Sequence, residues 1–513
     1  MRAAILSGIL LSLSLPALFG NFPLHLGELA WIGLAPLYVT LASEEKPGAG
    51  LWKGFLCGFP LYGISLYWIF IALHIHGGIS VFFSLLALFL LVGISSFYLG
   101  GAMALAIFLK GKGLPLAWAF SLSWLFQDWL RNYFPFGGFS WSSLAYSQGE
   151  RLSLLQIADL AGPYGVTFLI LISNILIGEV FVFLKKKEKP PYLLAIFFTL
   201  LICGTLLYGK FRSNQIRHGM TSLPEKKLSL VQGNVPQSQK WLPDNIEELI
   251  QGHLELSQKA EKEYQPDLII WPEASYPAVM SHDVSRFNLI DVLKTPLLMG
   301  IVSYSGVVPD EWPPPPGWEF HLYNSAMVIR PGGYLEAMYH KNHLVPMGEY
   351  VPLSGFFFFI QKLVPGLADF TPGDGFNLLE VSGMKIGTTI CYEDLFPEIS
   401  RRFVREGADL LVNLTNDAWY EKSSAVLQHV EFSRLRAIEN RRYLARATNT
   451  GVTAIFDPLG KEVARAPLFE QTVLSAPIRL GGPATVYGRY GDWFVYICLL
   501  ATVFFVLTKL RMR

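Results

Sequence analysis

The sequence predicts two architectures in one chain: a polytopic α-helical membrane region and a mixed α/β domain outside the membrane. Two observations lead there. Hydrophobic residues make up 52% of the chain and charged residues only 16%, too apolar and too charge-poor for an ordinary soluble protein. The apolar residues are also unevenly spread. Residues 1–209 are nearly continuous hydrophobic segments, 210–486 alternate short apolar strands with polar helices, and 491–508 are apolar again. A net charge of +1 gives no reason to expect a nucleic acid partner.

Membrane helices are expected near 3–20, 28–43, 54–74, 79–109, 115–130, 163–184, 191–208 and 491–508. Those at 28–43 and 115–130 fall short of the roughly 20 residues of a full span. Met1-Arg2 and the apolar run to Leu18 mimic a signal peptide, but the cleavage pattern is poor and more membrane segments follow, so the run reads as a retained helix. A cytoplasmic N-terminus puts Arg2, Lys46, Lys53, Lys110, Lys112, Lys185, Lys186, Lys187, Lys189, Lys509, Arg511 and Arg513 inside, and leaves only Arg131 and Arg151 in the short loops opposite. That bias predicts eight spans, both termini in the cytoplasm, and the α/β domain on the outer side, the periplasm of a Gram-negative cell. The 131–162 loop carries Tyr133, Phe134, Phe136, Phe139, Trp141 and Tyr146. It is expected at the headgroup level, with Arg131 as an interfacial anchor or a lipid-phosphate ligand and Asp128 as its partner.

The α/β domain follows a polar linker at 210–226. Strands are expected at 228–235, 267–271, 297–305, 323–329 and 334–339, then a hairpin over 376–391 turning at Ser382-Gly383, and further strands at 408–413, 443–449, 452–457 and 473–477. Asp244 and Glu247 have capping-box spacing and open a helix running to about Tyr264. Helices follow at 398–406 and, basic in character, at 425–440. Such alternation gives a mixed sheet with helices outside. Trp312, the Pro313–Pro316 run and Trp318 exclude regular structure between two strands and indicate a rigid surface loop. The aromatic block 356–360 lacks alternation and reads either as buried or as dipping into a membrane interface.

Three strand ends carry chemistry. The run Ile386-Gly387-Thr388-Thr389-Ile390 stops at Cys391, the only cysteine of the α/β domain; Cys57, Cys203 and Cys498 lie in membrane-like segments. A cysteine at a strand-to-helix elbow is either a nucleophile or one more buried small hydrophobe. Strand 267–271 ends in Pro272-Glu273, a solvated strand-end charge or a catalytic acid. Strand 334–339 delivers His340-Lys341-Asn342-His343, where Lys341 is a surface charge or a site cation. A metal site at His340 and His343 lacks a third ligand of sensible spacing. If one sheet rim collects the three, the carboxylate takes the thiol proton, the ammonium stabilises an oxyanion, and the cysteine forms a thioester.

The segments WPEAS around Glu273, YHKNHLVPMGEYVP around Lys341 and ICYEDLFPE around Cys391 resemble, in order, the Glu-Lys-Cys motifs of the nitrilase superfamily of carbon–nitrogen hydrolases. NLTNDAWY at 413–420 is similar to the segment that follows that family's cysteine. DWLRNYFPFGGFSW at 128–141, DLAGPYGVTFL at 159–169 and GNVPQSQKW at 233–241 resemble the apolipoprotein N-acyltransferase family; Asp128 stands where that family usually has Glu.

The resemblance implies an αββα sandwich over 224–480, a membrane domain of about seven helices over 1–209 and a last membrane helix at 487–508. It implies N-acylation of the diacylglyceryl-cysteine of apolipoproteins from a phospholipid donor, without a cofactor, by a chain expected to be a monomer of the bacterial inner membrane. Cys391 would be the nucleophile, Glu273 the base and Lys341 the oxyanion donor. Glu349 would orient Lys341, Tyr392 and Glu393 would shape the pocket, Trp241 and Trp419 would line the entrance, and Asn416 is expected to support the site. Two rival readings share these residues: a membrane-tethered amidase, and a lipid-binding scaffold or transporter with an inactive outer domain.

Overall fold

The computed structural model describes residues 1–186, 190–308, 319–352 and 370–511. The proline-rich insert, the 356–360 block, Lys187, Lys189 and Arg513 lie outside the described residues.

The N-terminal part is helical. Its main elements are α1 (Arg2–Ser14), α2 (Pro47–Ser65), α3 (Val81–Gly111), α4 (Leu116–Leu130), α5 (Ala158–Lys186) and α6 (Tyr192–Met220). Among the described residues α3, α5 and α6 are long and apolar enough to cross a membrane; α2 with its continuation Trp68–His76, bent by 51°, makes a fourth. Arg2–Ser14, Gly27–Ala42 and Trp493–Lys509 are shorter apolar helices, so eight spans require these three and the 15-residue α4 to cross as well.

Several expectations change. Helix 3–20 stops at Ser14, because Pro16 forces Leu15 into an extended conformation (ψ 150°). A small antiparallel hairpin follows, β1 (Ala17–Phe19) with β2 (Phe22–Leu24). The expected linker at 210–226 is helical as far as Met220, since α6 runs on past its apolar stretch. Arg131 is neither an interfacial anchor nor free for a lipid phosphate. It is 4% exposed and donates to Tyr62 Oη at 2.8 Å, to Phe139 O at 3.2 Å and to Trp141 O, with Asp128 at 3.9 Å. The 131–162 loop is in large part interior: Trp141 and Tyr146 are buried.

The α/β part forms two sheets among the described residues. One has the order β15-β3-β4-β6-β7-β8 with β5 on β6: β3 (Glu225–Gln232), β4 (Leu268–Ile270), β5 (Tyr276–Ser281), β6 (Leu297–Gly306), β7 (Phe320–Arg330), β8 (Tyr334–His340) and β15 (Thr472–Arg479). The other has the order β14-β13-β12-β11-β10-β9: β9 (Leu379–Val381), β10 (Met384–Ile390), β11 (Leu410–Thr415), β12 (Tyr443–Thr448), β13 (Ala454–Phe456) and β14 (Glu462–Arg465). Strand periodicity decides what lies between the sheets. Leu268 and Ile270 face the second sheet, while Ile269 and Trp271 face the other way, onto α7 (Ile246–Glu263). Helices α8 (Pro397–Arg405) and α9 (Ala425–Asn440) cover the second sheet. The layers are therefore α, β, β, α. Strands β5 and β14 were not expected. The capping box expected at Asp244 and Glu247 does not form, as α7 starts at Ile246 without a side-chain cap.

Helix α9 is not an outer helix. Every one of its residues is buried, because its far side packs on α5 and on the turn Leu144–Gln148. The final helix α10 (Trp493–Arg511) returns to α4 and α5. α5 kinks at Gly162 (φ +61°), where a Cβ would lie 2.4 Å from the Tyr487 ring; only glycine permits both the backbone and the approach.

One buried carboxylate fastens the two parts. Asp159, at the start of α5, accepts from Tyr208 Oη (2.6 Å) and Arg212 Nε (2.8 Å) on α6, and from Arg441 (2.8 Å) at the end of α9. Removing it would leave two guanidiniums without their carboxylate, at a cost of about 3–5 kcal/mol. Asp159→Ala should therefore lower the thermal unfolding midpoint of the detergent-solubilised protein clearly. Arg151→Ala, which breaks only the exposed pair with Glu28, should leave it nearly unchanged. Equal midpoints for the two variants would remove the junction role of Asp159.

Candidate active site

The three chemical side chains of the sequence reading each follow a strand end. Glu273 comes three residues after β4, Lys341 directly after β8 and Cys391 directly after β10. All are buried: Glu273 is 8% exposed, Lys341 1% and Cys391 8%. Their charges act on one another, Glu273 and Lys341 both being felt at the thiol and Glu273 and Cys391 both at the Lys341 ammonium.

Cys391 opens a single turn of 3-10 helix with φ +51°. A left-handed non-glycine residue costs on the order of 1–3 kcal/mol and persists only where its neighbours hold it. The holder is Glu393. Its Oε2 accepts from Ile390 N (2.8 Å), and its Oε1 accepts from Tyr339 Oη (2.9 Å), Asn342 N (2.8 Å) and His343 N (3.1 Å). One fully buried carboxylate thus spans the cysteine elbow and both sides of Lys341. Burial pushes it up to about 6, against the hydrogen bonds and the Lys341 charge.

Lys341 donates to Glu349 Oε1 at 2.9 Å, and Glu349 Oε2 accepts from Val345 N at 2.8 Å. Asn324, on β7, gives its amide to Glu273 Oε1 (2.8 Å) and Glu349 Oε1 (3.0 Å), so the two carboxylates are held side by side. Burial opposes the charge on Lys341, but Glu349, Cys391 and Glu273 outweigh it and push the ammonium well up. The thiol behaves oppositely. Burial pushes it up, Glu273 adds to that, and Lys341 and a Thr415 hydrogen bond pull against it. A protonated thiol beside a fixed carboxylate and a permanent cation is suited to base-assisted nucleophilic attack with a stabilised oxyanion.

The Glu273 turn needs a glycine beneath it. A Cβ on Gly300 would lie 2.5 Å from Glu273 Cα, and Gly300 N and O bond Pro272 O and Ser275 N.

The supporting residues divide. Tyr392 is buried, donates to Gly138 O at 2.8 Å and packs on Phe396. Asn416 is also buried; its amide bonds Gln237 Oε1 and its oxygen accepts from Asn449, which braces the 233–241 loop. Trp241 and Trp419 are exposed by 43% and 38%, outside the buried cluster. His340 and His343 diverge: His340 bonds Ser325 Oγ and stacks on His282, whereas His343 packs on Phe396. Among the described residues no group of three His, Cys, Asp or Glu side chains is placed to hold a metal ion.

Sequence reasoning missed Asn324 and Lys240. Asn324 is a lone amide in an apolar strand, a detectable signal. Lys240, 3% exposed, donates to Glu273 O at 2.9 Å; as one lysine in a polar turn it gave no signal.

Glu393→Gln places an amide N–H against a backbone N–H on one side of this strut. Loss of a charge-assisted bond, with a buried donor left unpaired, costs on the order of 2–4 kcal/mol. The variant should unfold at lower denaturant concentration and lose most thiol reactivity at Cys391, read by alkylation and peptide mass mapping. Wild-type reactivity in Glu393→Gln would remove the strut role.

Comparison with known proteins follows the same division of the chain. Residues 7–176 match the model of the apolipoprotein N-acyltransferase N-terminal domain, and 227–485 match carbon-nitrogen hydrolase. Apolipoprotein N-acyltransferase of Geobacter metallireducens is 36% identical over 97% of this chain and 92% of its own. That of Chlorobaculum tepidum is 31% identical over 99% and 96%, and that of Methylococcus capsulatus 33% over 96% and 93%. With both domains matched in order and full-length relatives above 30% identity, the chain belongs to the apolipoprotein N-acyltransferase family.

Proposed function

We propose that the protein moves a fatty acyl chain from a membrane phospholipid to the α-amino group of the N-terminal diacylglyceryl-cysteine of apolipoproteins, the last step of bacterial lipoprotein maturation. The observation that carries this is a strained, buried Cys391 with Glu273 and Lys341 acting on its thiol.

Glu273 takes the Cys391 proton as Sγ attacks the donor ester carbonyl. Lys341 meets the oxyanion, with Glu349 keeping its Nζ in place. Collapse expels the glycerol oxygen, which takes the proton from Glu273, and a lysophospholipid leaves. In the second half, Glu273 accepts a proton from the incoming α-amine as it attacks the thioester, and the thiol is regenerated. One difficult transfer becomes two easier ones, with ping-pong kinetics. No cofactor enters this scheme.

Trp241 and Trp419 flank the way in. Residues 1–209 and 487–508 hold 224–480 on the periplasmic face of the inner membrane, with eight spans, both termini cytoplasmic and a monomer as the working unit.

Intact-protein mass spectrometry tests the proposal. Incubation with phospholipid should add one acyl group, mapped to Cys391, and a diacylglyceryl lipopeptide should remove it. Cys391→Ala and Glu273→Ala should abolish transfer, and Lys341→Ala should slow it on the order of 10²-fold or more, the scale for losing an oxyanion donor. Release of ammonia from small amides without any acyl-cysteine would make the protein an amidase instead. Near-normal transfer by one of these variants would remove the role given to its residue.

A further inference from the structure

Lys240 sits where a second cation bears on the reaction. It lies on the 233–241 loop, which is stapled in place: Asn449 bonds both N and O of Val235, and Asn416 bonds Gln237. The side chain leaves this loop for the interior, and Nζ gives one hydrogen bond, 2.9 Å, to the main-chain oxygen of Glu273. The next residue, Ala274, is left-handed (φ +46°), so the bond grips the base at a strained turn. Among the described residues no carboxylate forms an ion pair with Lys240. The titratable groups whose fields reach it are Glu273 after β4, Cys391 after β10, and His253 on α7.

Charge counting gives the amine a purpose. Lys341 is set among three carboxylates, Glu273, Glu349 and Glu393, so acidic groups outnumber it at the site before any reaction. A thiolate or an oxyanion formed there places negative charge on a further atom among them. A charged Lys240 sets a second cation against them, and moving the thiol proton to Glu273 shifts negative charge onto the sulfur and then the oxyanion without changing the total.

We propose that Lys240 is a positioning residue of the acyl transfer, which fixes the Glu273 turn through its main-chain oxygen and, as the second cation of the site, lets Cys391 ionise. This rests on the reading of Cys391 and Glu273 as nucleophile and base.

Burial pushes the Lys240 ammonium down to about 8, with Glu273 and Cys391 pulling the other way. His253 is held low, at about 4, by burial first, a Leu249 hydrogen bond opposing and Lys240 adding to the fall, so it is neutral throughout the working range. Below pH 8 Lys240 is charged and assists the thiolate. Above pH 8 it is neutral and the assistance is lost.

The test is the pH dependence of Cys391 alkylation by iodoacetamide in the full-length protein in detergent, mapped by peptide mass, for wild type, Lys240→Met and Lys240→Arg. Wild type should show a break near pH 8, where the rise in rate flattens. Lys240→Met should alkylate about tenfold or more slowly at pH 7. Lys240→Arg, whose charge persists, should stay within about threefold at pH 7 and lose the break. An unchanged profile in Lys240→Met, or a break that survives in Lys240→Arg, overturns the assignment. So does a loss of acyl transfer in both variants with wild-type alkylation profiles, which would make Lys240 a fixture of the loop alone. Because alkylation needs no acyl donor, it separates the two readings. A wild-type enzyme that shows the break but takes no acyl group from phospholipid supports Lys240 and sinks the donor assignment.

Discussion

The carboxylate of Glu393 is the constraint on which the site depends. Cys391 must occupy a backbone conformation that its side chain disfavours, and Lys341 must stay buried beside it. Neither is stable by itself. Glu393 accepts from the residue before the cysteine and from the two residues after the lysine, so strand ends on different sheets cannot move apart without breaking a charge-assisted bond. Tyr339, on β8, closes the set. A buried carboxylate would be costly with fewer partners. Its four donors offset that cost, and burial still holds it well above the ordinary carboxylate range.

Beneath this strut lies a layer of buried charge. Arg446 reaches Asp417 at 3.0 Å and Asp394 at 3.6 Å, and His429 meets Asp417 at 2.8 Å. Arg436 pairs with Glu439 and donates to the Asp394 and Leu395 carbonyls, at the end of the cysteine turn. These pairs are poor sources of net stability, since desolvation cancels much of their attraction. What they supply is a fixed geometry under Cys391: each guanidinium has planar donors that only one arrangement of carboxylates and carbonyls satisfies.

Much of the fold was legible because it is written in local periodicity. The bounds of α9 agree with the expected 425–440 helix, and β6, β8 and β10 lie close to their expected places, since alternation and turn residues are local signals. The strand ends then pointed to Glu273, Lys341 and Cys391, and the structure buries all three together. What stayed hidden depends on contacts distant in sequence. The 425–440 helix read as a basic helix on the outside of the sheet, and only the packing of α5 and the turn Leu144–Gln148 on its far side makes it interior. Arg131 read as a headgroup anchor, yet it closes a buried loop through Tyr62, Phe139 and Trp141. Glu393 looked like pocket lining because nothing local says that Asn342 and His343 will meet it. Lys240 was silent for the same reason: its partner, the carbonyl of Glu273, lies 33 residues away.

The two halves of the chain share the site's walls. Gly138 accepts the Tyr392 hydroxyl, and Gly137 lies so close to His343 that a Cβ there would stand 2.7 Å from its ring. Both glycines belong to the loop that follows α4. On the other side Trp68, from the bent helical segment, packs edge-on against Tyr420 and tilted against Trp141, and Tyr420 feels the charges of Cys391 and Glu273. A buried thiol flanked by fixed charges works only where water is kept out, because bulk solvent would screen Lys341 and relax the carboxylates. Part of that exclusion comes from the N-terminal helices and not from the αββα layers. Detaching the layers would therefore expose Tyr392 and Tyr420 and weaken the fields that set the thiol, even with every strand intact. The membrane-type half is thus structurally part of the site as well as its support.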